Sequence, residues 1–128
     1  MRILLDTHVL LWVAAGAARL PTRILAALKD PEVERFASAA SAWEIATKTR
    51  LGKLDGRALA HDFVHEVRSQ GFRVLPIGAQ DAQDAGTLAG PHGDPFDRML
   101  VAQALRRGLI MVSGDAMLDG FGVERLWA

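Results

Sequence analysis

Short hydrophobic runs alternate along the chain with longer segments whose hydrophobic positions recur at helical spacing. The longer segments predict helices, and residues 58–70 carry Leu59, Phe63 and Val67 on one face. The hydrophobic runs that predict strands are RILL (2–5), VERFASAA (33–40), RVLPI (73–77), LIMVS (109–113) and VERLW (123–127). Because strands that alternate with helices form parallel sheets covered on both faces, the pattern predicts an α/β fold.

Capping residues place the ends of several helices. Thr22 is the predicted cap of the helix in LPTRILAALKDP, and Ser41 is the predicted cap of SAWEIATKTRLG, which ends at Gly52. Asp94 followed by Pro95 is a favourable helix start, since an acid suits the N-cap and proline suits the first helical position. These signals predict a helix over residues 95–107.

Composition favours a single domain over residues 1–128. Half of the residues are hydrophobic, and 15 basic residues balance 15 acidic ones, so net charge gives no support to nucleic-acid binding but leaves a local basic face possible. The absence of cysteine excludes disulfides and thiolate chemistry, and it fits the cytoplasm. Residues 1–18 loosely resemble a secretory signal, but Asp6 and His8 interrupt the apolar run, so we expect no membrane segment. The three tryptophans are predicted to lie in the core.

Four acidic residues occupy equivalent places in the predicted fold. Asp6 ends the first strand, Glu44 and Asp97 lie in the first turns of two helices, and Asp115 follows LIMVS. Ligands of open parallel sheets bind beyond the carboxyl ends of the strands, where these acids would meet. Clustered carboxylates repel one another unless cations lie among them, and their oxygens suit Mg²⁺ or Mn²⁺.

Each acid also has a structural interpretation. Asp6 can cap the first helix, the pair Ser41 and Glu44 matches a capping box, and Asp115 can begin a turn. That interpretation is weakest for Asp97, because Asp94 already provides the cap and because Asp97 shares the helix face of apolar residues. A buried carboxylate without a partner is too costly to keep.

Other sequence patterns are weaker candidates for a functional site. His61 and His65 have metal-site spacing, but they lie opposite the apolar helix face and are predicted to be solvated. No dinucleotide or serine-hydrolase motif occurs, and the Gly-Lys at residues 52–53 lacks the rest of a phosphate loop. A phosphoacceptor receiver domain is an alternative α/β module with clustered acids. Such a domain would need a lysine after a late strand, and residues 109–128 contain none.

Three motifs, in order, carry a family resemblance: LLDTHVLLW, SAWEIATKTRLGKL, and HGDPFDRMLVAQA followed by SGD. Together they resemble PIN-domain ribonucleases, and among these most closely the VapC-type toxins of prokaryotic type II toxin–antitoxin pairs. The resemblance covers nearly the whole chain. It implies a three-layer α/β/α sandwich with a central parallel sheet of four or five strands. It also implies endonucleolytic cleavage of RNA with Mg²⁺ or Mn²⁺, a cognate antitoxin, and a homodimer.

The family's acidic residues correspond to Asp6, Glu44, Asp97 and Asp115, the set that the strand ends indicate. The resemblance implies that these acids hold one or two ions, which activate water for attack on the scissile phosphorus. It also makes Thr7 and Ser113 candidates to hydrogen-bond the carboxylates. The basic residues that can add positive charge near this rim are Lys48, Arg50, Lys53 and Arg98. A degenerate PIN fold that only binds a partner remains the alternative.

Overall fold

A computed structural model describes residues 1–128, which form five strands, seven α-helices and one 3₁₀ helix. The strands are β1 (Arg2–Leu5), β2 (Glu34–Ser38), β3 (Arg73–Leu75), β4 (Ile110–Val112) and β5 (Arg125–Leu126). The helices are α1 (Thr7–Ala14), α2 (Thr22–Lys29), α3 (Ala39–Arg50), α4 (Ala58–His61), α5 (Phe63–Ser69), α6 (Ala79–Thr87) and α7 (Pro95–Arg107), and the 3₁₀ helix is Ala116–Phe121. None of the helices has the length and apolar character needed to cross a membrane.

The five strands form one sheet in the order β3-β2-β1-β4-β5, and every neighbouring pair is parallel. Strand β1 lies at the centre, with Leu5 in register with Val112 of β4. The chain first adds strands on one side of β1 and then crosses to the other, so the strand order reverses between β1 and β4. A reversal of this kind opens a crevice at the carboxyl ends of the two strands, next to Asp6 and Ser113.

Helices cover both faces of the sheet, because alternate residues of a strand point to opposite sides. Ile3 and Leu5 pack into one hydrophobic cluster, with residues from α1, α2, α3 and α5. Leu4 packs into the other, with Leu100 and Val101 of α7. The architecture confirms the predicted α/β/α sandwich with a five-stranded parallel sheet.

Helix α3 begins earlier than predicted. Ser38 is its N-cap and accepts a hydrogen bond from the backbone N–H of Ala40, so the prediction that Ser41 caps this helix is wrong. The Ser41 hydroxyl instead pairs with Thr7 Oγ1 at 2.8 Å, across to α1. The end of the helix agrees with prediction, since Gly52 follows the last turn with a φ of +73°.

Three other sequence predictions are wrong. Thr22 is the first residue of α2 rather than its cap, and Pro21 precedes the helix without a side-chain hydrogen bond. The segment 58–70 forms two helices, because Asp62 leaves the helical region with φ −143° and ψ 54°. Trp12 and Trp127 pack against the core, but Trp43 is 60% exposed. Helix α7, by contrast, spans the predicted residues 95–107 with Asp94 as its N-cap.

A buried hydrogen-bond chain joins α7 to the start of α3. Gln103 is fully buried, and its Oε1 accepts a hydrogen bond of 2.5 Å from Ser38 Oγ. Its Nε2 donates to the carbonyl oxygen of Pro76, beyond β3. An interior amide is stable only when it is paired in this way, so the contact sets the relative placement of α3 and α7.

Candidate active site

Asp6 lies at the carboxyl end of the central strand β1 and is nearly buried. Its Oδ1 accepts a hydrogen bond from the backbone N–H of Thr7, and its Oδ2 accepts one of 2.6 Å from Ser113 Oγ. His8 Nδ1 is 3.4 Å from the same Oδ2. Burial alone raises the pKa of Asp6, but the contacts with His8 and Ser113 outweigh burial and hold the pKa below its usual value. These contacts therefore favour the ionised form of Asp6.

The two hydroxyl residues beside Asp6 act differently. Ser113 Oγ donates directly to the carboxylate and also accepts a hydrogen bond from the backbone N–H of Asp115. Thr7 contacts Asp6 only through its backbone N–H, because its side chain pairs with Ser41. Ser113 thus links the acids that follow β1 and β4, and Thr7 links α1 to α3.

Glu44 is 6% exposed and lies in the second turn of α3, not the first turn that we predicted, because the helix starts at Ala39. Its Oε2 accepts a hydrogen bond from Lys48, and this bond raises the pKa of Lys48. Its Oε1 is buried and has no hydrogen-bond partner. One oxygen of a buried carboxylate is therefore unsatisfied by the protein, which is costly unless a cation or water occupies that position.

Asp97 lies in the first turn of α7, next to the capping residue Asp94. Its side chain is 18% exposed, and its Oδ2 is 2.7 Å from His92 Nε2. Burial raises the pKa of Asp97 to about 6, against the opposing effect of His92, and the negative charges of Asp6, Asp94 and Glu44 raise it further. Burial and the neighbouring acids thus both disfavour the ionised form of Asp97.

Asp115 follows β4 and caps the 3₁₀ helix by accepting a hydrogen bond from the backbone N–H of Met117. It also faces the acidic pocket, since single ligand atoms of His92, Asp97 and Asp115 lie within 4.8 Å of one another. Octahedral ligands about 2.1 Å from an ion are about 3 Å apart when adjacent and about 4 Å apart when opposite. These three residues are thus close to the spacing that one ion requires.

The structure groups Asp97 and Asp115 with His92 within 4.8 Å, and the charges of Asp6 and Glu44 act on Asp97, although neither of these two acids belongs to that group. The negative charges of Asp6, Asp97 and Asp115 all raise the pKa of His8, against the opposing effect of burial. Oxygen ligands with two histidines nearby fit Mg²⁺ or Mn²⁺, and Mn²⁺ accepts imidazole more readily. The unpaired Oε1 of Glu44 adds a buried acceptor that lacks a cation. The residues present therefore fit a divalent metal site.

Two histidines at this site were not identified from the sequence. His8 contacts Asp6 and stacks edge-on against Trp12, with ring centroids 5.1 Å apart. His92 lies in the loop before α7 and is the first residue of the motif HGDPFDRMLVAQA, but it was not singled out as a site residue. The available signal was the position of His92 two residues before Asp94, in a loop leading to a helix that carries an acid.

The predicted basic residues have different roles. Lys48 lies at the acidic site, and Arg50 and Lys53 are exposed. Arg98 donates only to backbone carbonyls, those of Ala85, Leu88, Gly90 and His92, so it holds the loop that presents His92. His61 and His65 are exposed, as predicted.

Comparison with known proteins adds a family and a fold. The model of the PIN domain family matches residues 3–123. No curated protein matches the chain. The fold is similar to VapBC2 from Rickettsia felis bound to a promoter DNA fragment, with a TM-score of 0.72, 12% identity and coverage of 100% of both chains. DNA-bound VapBC from Salmonella typhimurium gives 0.72 and 19% identity, covering 98% of this chain and 97% of that one. FitAcB from Neisseria gonorrhoeae gives 0.66 and 19%, covering 98% and 96%.

Proposed function

The chain belongs to the PIN domain family, and from this premise we propose that it is a VapC-type toxin, an endoribonuclease that cleaves RNA with Mg²⁺ or Mn²⁺. The observation that carries the proposal is the group of His92, Asp97 and Asp115, with the charges of Asp6 and Glu44 acting on Asp97 and one buried oxygen of Glu44 left without a partner. A protein that used these acids only as helix caps would have no reason to bury Glu44 in this way.

The proposed metal ligands are Asp6, Glu44 and Asp97, with Asp115 completing the set. A bound divalent ion would lower the pKa of a water molecule and neutralise negative charge on the phosphate. Ser113 and His8 orient Asp6, and His92 orients Asp97 or joins it as a ligand on the side of Asp115. The hydrogen bond between Ser38 and Gln103 joins α3 to α7, the helices that carry Glu44 and Asp97.

Charge explains why this site needs its cations. RNA is a polyanion, and the metal-free acids would repel its phosphates. Lys48 already neutralises one oxygen of Glu44, and two-thirds of its side chain is shielded from solvent. Four of the five N–H groups of Arg98 donate to loop carbonyls, so we assign it to the structure of the site.

We further propose a cognate antitoxin, a homodimer and a cytoplasmic site of action. Support for the antitoxin comes from the solved neighbours, which include VapBC and FitAB complexes bound to DNA. A cavity of about 760 Å³ is lined by apolar residues that include Leu11, Trp12, Leu54 and Leu59, and by charged residues that include Arg19 and Glu66. It offers a protein partner a surface that is mostly apolar, with charged residues among its lining. Coexpression with the product of the adjacent reading frame tests this pairing, and we expect a stable complex with suppressed cleavage.

The activity is tested with purified protein and labelled RNA. We expect cleavage with Mg²⁺ or Mn²⁺, none with EDTA, and none for Asp6→Asn or Asp97→Asn, both of which should remain folded by circular dichroism. Asp62→Asn is the matched control, because Asp62 is an exposed acid between α4 and α5 and contacts none of the four acids. It should cleave like the wild type.

The result separates the alternatives. Undiminished cleavage by Asp97→Asn would exclude the metal-site assignment. A wild-type protein that binds the antitoxin but cleaves no RNA in either metal would favour a degenerate PIN fold. Labelling of one aspartate by acetyl phosphate, without cleavage, would favour a phosphoacceptor.

A further inference from the structure

Trp43 is the one aromatic residue among the large hydrophobic side chains that the fold leaves exposed. It lies on α3, 60% exposed, directly before Glu44, which is 6% exposed. Single exposed apolar side chains are common and assign no role by themselves. The neighbours of Trp43 are what give its position a meaning.

Phe96 packs against Trp43 with ring centroids 4.8 Å apart and an interplanar angle of 73°. This contact joins α3 to α7, and Phe96 directly precedes Asp97. Each member of the aromatic pair is therefore adjacent in the chain to a proposed metal ligand, about 3.8 Å away between Cα atoms. The pair lies at the rim of the acidic site.

Lys48 connects the pair to the acids. Its Nζ donates to Glu44 and lies 6.0 Å from the centroid of the Phe96 ring. An ammonium at this position can attract a phosphate that approaches the aromatic pair. The contact with Phe96 is edge-to-face rather than stacked, and Trp43 remains 60% exposed, so its indole is accessible from solvent.

We propose that Trp43, supported by Phe96, forms a stacking subsite for an unpaired nucleobase of the RNA, next to the scissile phosphate. The inference rests on the proposed function and adds a preference for single-stranded or splayed-out nucleotides at the cleavage point. Stacking suits this role because every base has a π-face, and so the contact tolerates many sequences. Bases inside an RNA double helix are already stacked on their neighbours and cannot occupy the site.

A second copy of the chain is the competing occupant of this surface. Charge favours RNA, because a copy seated on Trp43 would bring its own carboxylates near the first set, whereas RNA brings phosphates to the metal and to Lys48. The test must nevertheless distinguish the two, since both would bury Trp43.

The experiment is a double-mutant cycle between the protein and the RNA. Single-turnover cleavage efficiency is measured in Mg²⁺ for an oligoribonucleotide that the wild type cuts, and for versions with one abasic nucleotide on either side of the cut. We expect Trp43→Ala to lower efficiency on the intact RNA about tenfold, within the range measured for base–aromatic stacking. Trp43→Phe, which retains a ring, should lose less than about threefold.

The abasic RNAs supply the decisive comparison. With the stacked base removed, the wild type should lose about tenfold, and Trp43→Ala should lose nothing more, since both changes remove the same contact. Leu51→Ala is the control on the same helix: Leu51 is 52% exposed but has no aromatic ring, and its replacement should leave cleavage of every RNA unchanged.

Three results would overturn the inference. Trp43→Ala could lose the same factor on intact and abasic RNA, or it could lose none. It could also dissociate a dimer in sedimentation analysis while each protomer still binds RNA as before, which would assign the surface to a second copy. In these cases wild-type cleavage stands and the proposed function survives. A wild type that cleaves no RNA removes the proposed function, and the subsite with it.

Discussion

Replacement of Asp97 by asparagine should stabilise the metal-free protein while it abolishes metal binding. Burial and the neighbouring acids raise the pKa of Asp97 from 3.8 to about 6. At about 1.4 kcal/mol for each pKa unit, the ionised carboxylate costs the folded state about 3 kcal/mol. Asparagine has nearly the same shape and no charge, and it can still accept a hydrogen bond from His92. Since this cost is an upper bound on what the substitution removes, we expect Asp97→Asn to raise the free energy of unfolding by about 1–3 kcal/mol at pH 8.

The pH dependence gives this prediction its sign. Because the folded pKa is above the unfolded one, the folded wild type holds the proton more tightly, and its stability falls as pH rises from about 4 through about 6. Asp97→Asn has no such group. The stability difference between the two proteins should therefore be near zero at pH 4, grow up to pH 6 and then level off.

The assay is urea denaturation in EDTA at several pH values, repeated with Mg²⁺ at pH 8. Mg²⁺ should stabilise the wild type, because a ligand that binds only the folded state shifts the equilibrium toward it, and it should leave Asp97→Asn unchanged. Asp62→Asn, at an exposed position, should match the wild type throughout. If metal-free Asp97→Asn is no more stable than the wild type at pH 8, the acids do not strain one another as the structure indicates.

Two further predictions concern the scaffold. Asp81→Asn should cost about 1–3 kcal/mol at pH 7 in urea denaturation, because the Asp81 carboxylate is 2% exposed and accepts two hydrogen bonds from Arg107, at 2.7 and 2.9 Å. Arg107 lowers the pKa of Asp81, so the ion pair stabilises the folded protein above about pH 4. The stability lost in Asp81→Asn should therefore shrink as the pH falls below about 4. A loss that does not depend on pH would contradict the pairing. Gly90→Ala should cost about 2–4 kcal/mol, since Gly90 has a φ of +143° and a Cβ there would lie 2.6 Å from a ring carbon of Phe121. Gly86→Ala is the matched control, because a Cβ at this position of α6 would have no atom within 4 Å. This substitution should stabilise the protein by up to about 1 kcal/mol. Equal shifts in melting temperature for the two alanine variants would refute the steric argument.

The order of elements and the identity of the four acids could be predicted from the sequence because both depend on local chemistry. Hydrophobic spacing distinguishes strands from helices within a few residues, and Asp94 with Pro95 places the start of α7 within one turn. Parallel strands carry their carboxyl ends to one edge of the sheet, so acids after β1 and β4 are predicted to meet. The assignment of those acids as metal ligands stays a prediction.

Only the tertiary structure decided which partner each side chain takes. Ser41 had the right spacing for a cap, yet its hydroxyl pairs with Thr7 on another helix, and Ser38 caps α3 instead. Trp43 is a large hydrophobic residue and was predicted to lie in the core, but the packing of α3 buries Glu44 and leaves Trp43 exposed. The local sequence determines which backbone N–H groups at the start of a helix need a hydrogen-bond partner. The long-range packing of helices on the sheet then selects among partners that are far apart in the chain, and no local pattern records that choice.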